Sequence, residues 1–297
     1  MPSTYSASYE PAKEVPSVIE LPSVAVLGAG AIGKSLLKGL TKPGVAVNGS
    51  IYATCSSASR AAELASLSQV TVTAVEDHPS VNKDAVFESD LVVLAVNPEG
   101  VPALIADVST SFRPGALVVS VAAGVTLARL KKMLPDSVTV VRALPNMGGE
   151  VGCGVTGVAT NDSCTQEDLK IASDLFGTVG TVVVVGDDQL DEVSSISGSG
   201  PGYFYFFVEQ LTATGIELGF SPGQARVLAE QTFLGSAALM QSSGQKPEEL
   251  LRYFTSPQGT SIKAIEQLSA ADFKKVLLKA TAASIARARE IAAETGE

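Results

Sequence analysis

The chain has a single histidine, His78, and it stands before Pro79 in a segment that reads as a loop. A histidine acid or base is therefore a poor candidate for its chemistry. Cys55, Cys153 and Cys164 show no CxxC or Cys/His spacing, which argues against a disulfide framework and a metal site and fits a reducing cytoplasm. Long apolar runs are missing as well: Gly, Ser, Pro or charge breaks every stretch before eighteen residues, so no transmembrane helix is expected. Residues 1–21, rich in Ser, Pro and Glu, have no apolar centre behind a basic start; they read as a mobile tail rather than a secretory signal. Basic residues number 21 against 31 acidic ones, a net charge of −10. That balance excludes a broad phosphate-tracking surface for nucleic acid or an anionic membrane, so an anionic ligand needs a local site built against the overall field.

What the chain does contain is enough apolar material, 45% of 297 residues, for two cores. From residue 23 to about 185, short β-branched runs alternate with helical stretches, the pattern of a parallel sheet flanked by helices. Five or six strands are readable, at 24–27, 51–54, 91–96, 117–121, 138–143 and 181–185. Beyond Asp187 such runs stop and long helical segments take over. Ser221 and Pro222 supply a cap and a first-turn proline, and Gly244 a stop, for one helix. Another should span about 270–293. The apolar run 203–208 is too dense for a solvated face, so it packs either on another subunit or within an internal core. The expected fold is thus an α/β Rossmann-like nucleotide-binding domain at 22–187, after the tail at 1–21, followed by an all-α dimerisation and substrate domain at 188–297.

Gly28, Gly30 and Gly33, with Ala31 and Ile32 between the last two, form GxGxxG directly after the strand at 24–27 and open a helix. In that context the first glycine permits a tight turn, the second lets backbone approach a pyrophosphate, and the third lets helix and strand pack closely. A purely structural turn is the competing reading. An NAD-selective site places an acid about twenty residues on, at the ribose, yet no Asp or Glu occurs from 41 to 62. Ser56, Ser57 and Arg60 stand there instead and suit the 2′-phosphate of NADPH, with NADH as the alternative; Ser56 could equally cap the next helix. Ala95, Val96 and Pro98 end a central strand where such a cofactor passes, or the proline simply stops the strand.

Lysine is absent from 171 to 245, which removes the catalytic lysine that 3-hydroxyacid dehydrogenases of similar plan carry early in their second domain. A protonated cyclic imine needs only hydride and positioning, with no group to take a hydroxyl proton. Two helix entries look able to hold an anion, one at 199–202 and one at 255–261. In the second, Ser256 as N-cap and Pro257 at the first turn leave the amides of Gln258, Gly259 and Thr260 as outward donors for a small carboxylate. Ordinary capping without a ligand is the plain alternative for each.

The succession of GAGAIG, Asn82 in its VNKDAVFESD segment, AVNP, RALPN at 142–146, SISGSGPGY and TSPQGTS resembles the pyrroline-5-carboxylate reductase family over nearly the whole chain after residue 21. The resemblance implies reduction of a cyclic imino acid to L-proline by NADPH or NADH, in a cytoplasmic homo-oligomer built from dimers. It implies carboxylate binding by Ser256, Gly259 and Thr260, with Ser261 bonding the ring nitrogen as the catalytic hydroxyl. Ser194 falls at a substrate position, Asn82 at the cofactor ribose, Ala95, Val96 and Pro98 along the cofactor, and Asn146 in the loop near nicotinamide. The chain departs from the family where it reads PNMG for PNTP, Asn97 for lysine, SPQGTS for SPGGTT and GSGPG for GSGPA. Those departures leave two other readings: a reductase of a related cyclic imino acid, or an NADP-binding regulatory module without turnover.

Overall fold

In the computed structural model, which describes residues 18–256 and 259–294, one eight-stranded sheet carries the order β3-β2-β1-β4-β5-β6-β7-β8. Its strands are β1 (Ile19–Leu27), β2 (Val45–Cys55), β3 (Val70–Ala74), β4 (Leu91–Leu94), β5 (Leu117–Ser120), β6 (Thr139–Pro145), β7 (Gly154–Ala159) and β8 (Gly180–Val184). The chain runs outward from β1 through β2 to β3, then returns to the other side of β1 with β4. That reversal opens a crevice at the carboxyl ends of β1 and β4, where open α/β sheets receive their ligands.

Alternation along the central strands feeds two apolar layers. Val24 and Val26 face one layer with Leu36, Leu37 and Leu40 of α1 (Ala31–Leu40) and Leu175 and Phe176 of α6 (Gln166–Gly177). Ala25 and Leu27 face the other, with Val101 and Ile105 of α4 (Val101–Val108) and Leu127 and Leu130 of α5 (Leu127–Met133). The shorter helices α2 (Ala58–Leu64) and α3 (Val81–Phe87) join β2 to β3 and β3 to β4.

Two strands escaped the sequence reading, and two others, β1 and β2, begin earlier than expected. β3 is an edge strand whose Val-Thr alternation is half exposed. β7 contains Gly154 and Gly157, which weaken any strand signal. Gly157 is needed because a Cβ there would meet Val193 at 2.7 Å and Leu190 at 3.0 Å. β7 also pairs antiparallel with β6, so the expected succession of parallel units breaks there. β1 starts at Ile19, inside the segment assigned to the tail. Its register shifts between Pro22 and Val24, a bulge that accommodates a residue with no N–H to donate. Residues 1–17 of that tail lie outside the described residues.

Arg142, 2% exposed, donates to Asp187 at 3.0 Å and to Asp191 at 3.4 Å, and Asp187 also accepts from the Leu127 amide at 3.2 Å. These bonds fasten α7 (Leu190–Val193) to the sheet. One compact unit therefore runs Val18–Pro201 and includes residues 280–294, while the other is Gly202–Lys279. This differs from the expected division at 187/188, because residues 187–201 are tied to β6 and β7.

The second unit is helical. α8 (Gly200–Glu217), α9 (Pro222–Ser243), α10 (Pro247–Phe254), α11 (Thr260–Ala270) and α12 (Phe273–Glu294) follow in order, α8 and α12 crossing its limits. α9 is bracketed as its sequence indicates: Ser221 and Gln224 form a capping box and Gly244 closes it at φ 62°. α8 and α9 approach closely where a Cβ on Gly215 would lie 3.0 Å from that of Ala225. Among the described residues of 202–279, only Ala225 and Ala229 are buried. Phe204, Tyr205, Phe206 and Phe207 are exposed, so the run 203–208 does not form an internal core.

Candidate functional site

The crevice is built from backbone first. Leu27 ends β1, and Gly28 turns the chain at φ 97° while its amide and that of Ala29 both donate to the Thr54 carbonyl, at 3.1 and 2.8 Å. Each glycine meets a different physical demand. A Cβ on Gly28 would lie 2.8 Å from Val96 and 2.9 Å from the Ala95 carbonyl, and one on Gly33 would lie 2.5 Å from the Gly28 carbonyl. Gly30 is the contrast, since a Cβ there meets nothing within 4 Å. Its missing side chain serves no internal contact; it leaves the start of α1 open. No side chain caps α1 and no acid stands in its first turn, so the amides of the first turn are available to an anion.

Beside this turn lies a cleft of about 240 Å³ lined by Gly28, Thr54, Ser56, Asn82 and Val96, among others. The Oδ1 atom of Asn82 is buried there with no hydrogen-bond partner. A buried acceptor without a partner carries a desolvation cost of about 1–3 kcal/mol, which an incoming hydroxyl relieves. The open helix start, the side-chain-free approach at Gly30 and the orphaned Asn82 together fit a dinucleotide.

Other residues expected along the cofactor fall in the same unit with different exposures. Ala95 donates its amide to Leu27 at 2.8 Å, and Pro98 opens a short helical turn, Pro98–Gly100. Ser56 and Arg60 are exposed beyond β2. The N-cap of α2 is Ser57, not Ser56, and its hydroxyl pairs with that of Ser59 at 3.0 Å rather than with a backbone amide. The amide of Ala58 instead donates to Glu76 Oε1 at 2.5 Å. Sequence reasoning missed Glu76, because only the pairing of β2 with β3 reveals that an acid after β3 reaches the end of β2. Burial pushes the neighbouring Cys55 thiol above its usual range.

Asn146 does not present its amide to the cleft. Its Nδ2 donates to the Ser197 carbonyl at 2.9 Å and its Oδ1 accepts from Val155 at 3.0 Å. Ser197 belongs to a single wide turn, Ser194–Gly198, closed by Ser199 N donating to Ser194 O at 2.9 Å. Ser195 and Ser197 spend their hydroxyls on carbonyls of the preceding turn, at 2.8 and 2.9 Å. The Ser199 hydroxyl is 3.0 Å from that of Ser284. Of the helix entry at 199–202, Gly200, Pro201 and Gly202 prove to be the first turn of α8 itself.

The second helix entry lies in the helical unit. Ser256 was expected to cap it, but α11 starts at Thr260 with Gly259 as N-cap and no side-chain cap. Pro257 and Gln258 lie outside the described residues. Gly259 donates to the Ser256 carbonyl at 2.9 Å, and a Cβ on Gly259 would lie 2.7 Å from the Ser256 hydroxyl. Thr260 and Ser261 occupy the first turn, exposed, with no acid beside them. Ser256, Gly259, Thr260 and Ser261 thus gather at one uncapped helix start.

Comparison with known proteins decides the family. Residues 187–291 match the model described as pyrroline-5-carboxylate reductase dimerisation, and residues 23–124 the model described as NADP oxidoreductase coenzyme F420-dependent. The pyrroline-5-carboxylate reductase of Pseudomonas aeruginosa is 34% identical over 93% of this chain and 99% of its own. That of Mycobacterium tuberculosis is 35% identical over 90% of this chain and 96% of its own. The chain belongs to the pyrroline-5-carboxylate reductase family. A solved family structure from Coxiella burnetii superposes with a TM-score of 0.80 at 29% identity, covering 90% of this chain and 97% of that one. Residues 187–291 of this family member thus correspond to a dimerisation domain. No helix among the described residues is long and apolar enough to cross a membrane.

Proposed function

We propose that the chain reduces the C=N bond of pyrroline-5-carboxylate to L-proline with NADPH, or NADH, as a cytoplasmic homo-oligomer built from dimers. The observation that carries this reading is likeness to the Pseudomonas reductase along 99% of that protein, joined to a glycine turn whose open position, Gly30, faces an uncapped helix.

In this reading the first-turn amides at Ala31, Ile32 and Gly33 hold the pyrophosphate that Gly28 and Gly30 let approach. Asn82 takes a ribose hydroxyl. Ser56, Ser57 and Arg60 favour the 2′-phosphate, and Ala95, Val96 and Pro98 line the cofactor's path. Asn146 acts by shaping the loop near the nicotinamide, since both ends of its amide are engaged. The nicotinamide supplies the hydride. Ser256, Gly259 and Thr260 hold the substrate carboxylate at the uncapped start of α11, the Ser261 hydroxyl oxygen accepts from the N–H of the protonated ring nitrogen, and Ser194 contributes a further substrate contact. A protonated imine accepts hydride at carbon without a general acid, consistent with the single histidine, His78, standing in the nucleotide-binding unit and with the absence of lysine from 171 to 245. Cys55, Cys153 and Cys164 as free thiols support the cytoplasmic setting, and the net charge of −10 speaks against nucleic acid as a partner.

The test follows NADPH oxidation with pyrroline-5-carboxylate, then with six-membered and 2-carboxylate imines. Turnover with the five-membered substrate is expected. Preference for another imine would redirect the assignment to a related cyclic imino acid, the reading that the exposed Met147 in the altered PNMG loop favours. Silence with all of them would leave a nucleotide-binding module. Ser261→Ala should cut turnover at least tenfold with an unchanged melting temperature; unchanged kinetics would remove Ser261 from the site.

A further inference from the structure

The dinucleotide reading of the cleft leaves one charged group unused, and it sits where the nucleotide's two forms differ. An acid reading the ribose stands at the end of the second strand in NAD-selective sites. No acid occurs there in sequence, from 41 to 62. In space one does. The amide of Val75 extends the β2–β3 ladder by donating to Cys55 O at 2.8 Å, and the chain then folds over through Asp77 and His78, whose amides donate to Ala74 O at 3.2 and 3.1 Å. That turn delivers Glu76 across the strand end to the Ala58 amide at 2.5 Å. Arg60 is two residues further on, while Ser56 and Val75, flanking this junction, both line the cleft. Arg60, Glu76 and Asp77 are all near enough to Cys55 to act on its thiol, Arg60 lowering and the two acids raising its pKa. The strand end thus holds a guanidinium that attracts a 2′-phosphate together with a carboxylate that repels it and accepts from 2′- and 3′-hydroxyls.

We propose that Glu76 is the cofactor-selecting residue of this chain: its carboxylate binds the adenosine ribose hydroxyls of NADH and opposes the 2′-phosphate of NADPH that Arg60 attracts. Two opposed readers at one position make the chain accept both nucleotides, with the ratio set by the charge at Glu76. This inference rests on the cleft being the dinucleotide site.

Isothermal titration of the full-length chain with NADPH and with NADH, in the wild type, Glu76→Gln and Arg60→Ala, tests it without any imine substrate. Glutamine keeps an acceptor for the Ala58 amide and removes only the charge, so the fold is retained. Removing one like charge beside the 2′-phosphate should move the NADPH-to-NADH affinity ratio of Glu76→Gln about tenfold toward NADPH, through tighter NADPH and weaker NADH binding. Arg60→Ala should move the ratio the opposite way. A ratio unchanged within twofold in Glu76→Gln, while the wild type binds either nucleotide, overturns the role of Glu76 and leaves the cleft assignment standing. Failure of the wild type to bind either nucleotide overturns the cleft assignment itself and this inference with it.

Discussion

Asn146 and Ser197 are joined by a hydrogen bond of 2.9 Å from the asparagine Nδ2 to the serine carbonyl, across 51 residues of sequence. The same side chain accepts from Val155 at 3.0 Å, so one amide clamps the loop after β6, the start of β7 and the wide turn that precedes α8. Two sequence motifs of the family are thereby held together through backbone contacts, and neither could shift without stranding a polar group.

Asn146→Ala should therefore destabilise the chain by about 1–2 kcal/mol, since it abandons one backbone donor and one acceptor in a half-buried setting. Activity should fall further than stability predicts at temperatures where the variant remains folded, because the turn bearing Ser194 loses its anchor. Urea unfolding beside initial rates separates the two effects. A stable variant with full activity would show that the clamp is dispensable.

The glycine turn offers a cleaner separation of folding from binding. Gly33→Ala places a Cβ 2.5 Å from the Gly28 carbonyl, a backbone atom that cannot yield cheaply, whereas Gly30→Ala meets nothing within 4 Å. Gly33→Ala should lose about 2 kcal/mol or more to overpacking. Gly30→Ala should melt like the wild type yet bind NADPH at least tenfold more weakly. Thermal melts paired with nucleotide titration read both, and unimpaired binding by Gly30→Ala would place the pyrophosphate elsewhere.

These residues also mark how far sequence carries. The tight turn at Gly28 and the close helix–strand packing at Gly33 were legible because they follow from a strand, a turn and a helix that are consecutive in the chain. The Ser221 capping box and the Gly244 stop were legible for the same local reason. Glu76 was not, because its partner Ala58 is brought to it by strand pairing across 18 residues. β7 was hidden by two glycines, Gly154 held against the backbone of Gly149 and Val179 and Gly157 admitting α7, packing demands with no local signature. The shift of the α11 cap from Ser256 to Gly259 reflects a competition among capping residues that sequence leaves open, and the engagement of both ends of the Asn146 amide depends on two distant backbone atoms.

Cys164 supplies a pH dependence. Burial, with Asp168 a smaller contribution, raises its thiol from 9.0 to about 11. The folded state therefore holds its proton more tightly than the unfolded state. The stabilisation is fully present below pH 9 and is lost as pH rises from 9 toward 11. Melting temperatures followed from pH 8 to 11 should fall more steeply in the wild type than in Cys164→Ala. Parallel curves would show that the thiol does not contribute. The exposed Cys153 should meanwhile react first with a thiol reagent at neutral pH, ahead of the buried Cys55.

The helical unit, finally, cannot stand on its own interior. With only Ala225 and Ala229 buried among its described residues, nearly all of its large apolar side chains face outward. Tyr205, 71% exposed, lines an apolar groove of about 640 Å³ with Ile216, Phe233 and Leu234 between α8 and α9. Filling such a groove from a second chain is the economical way to remove this surface from water, at roughly 25 cal/mol for each Å² covered. Tyr205→Asp puts a charge where apolar contact is needed, so it should shift the protein toward monomer in sedimentation measurements and lower its melting temperature. Asp and wild type sedimenting alike would mean that the oligomer closes through another face, or that Arg226, which lines the same groove, pairs with the new carboxylate.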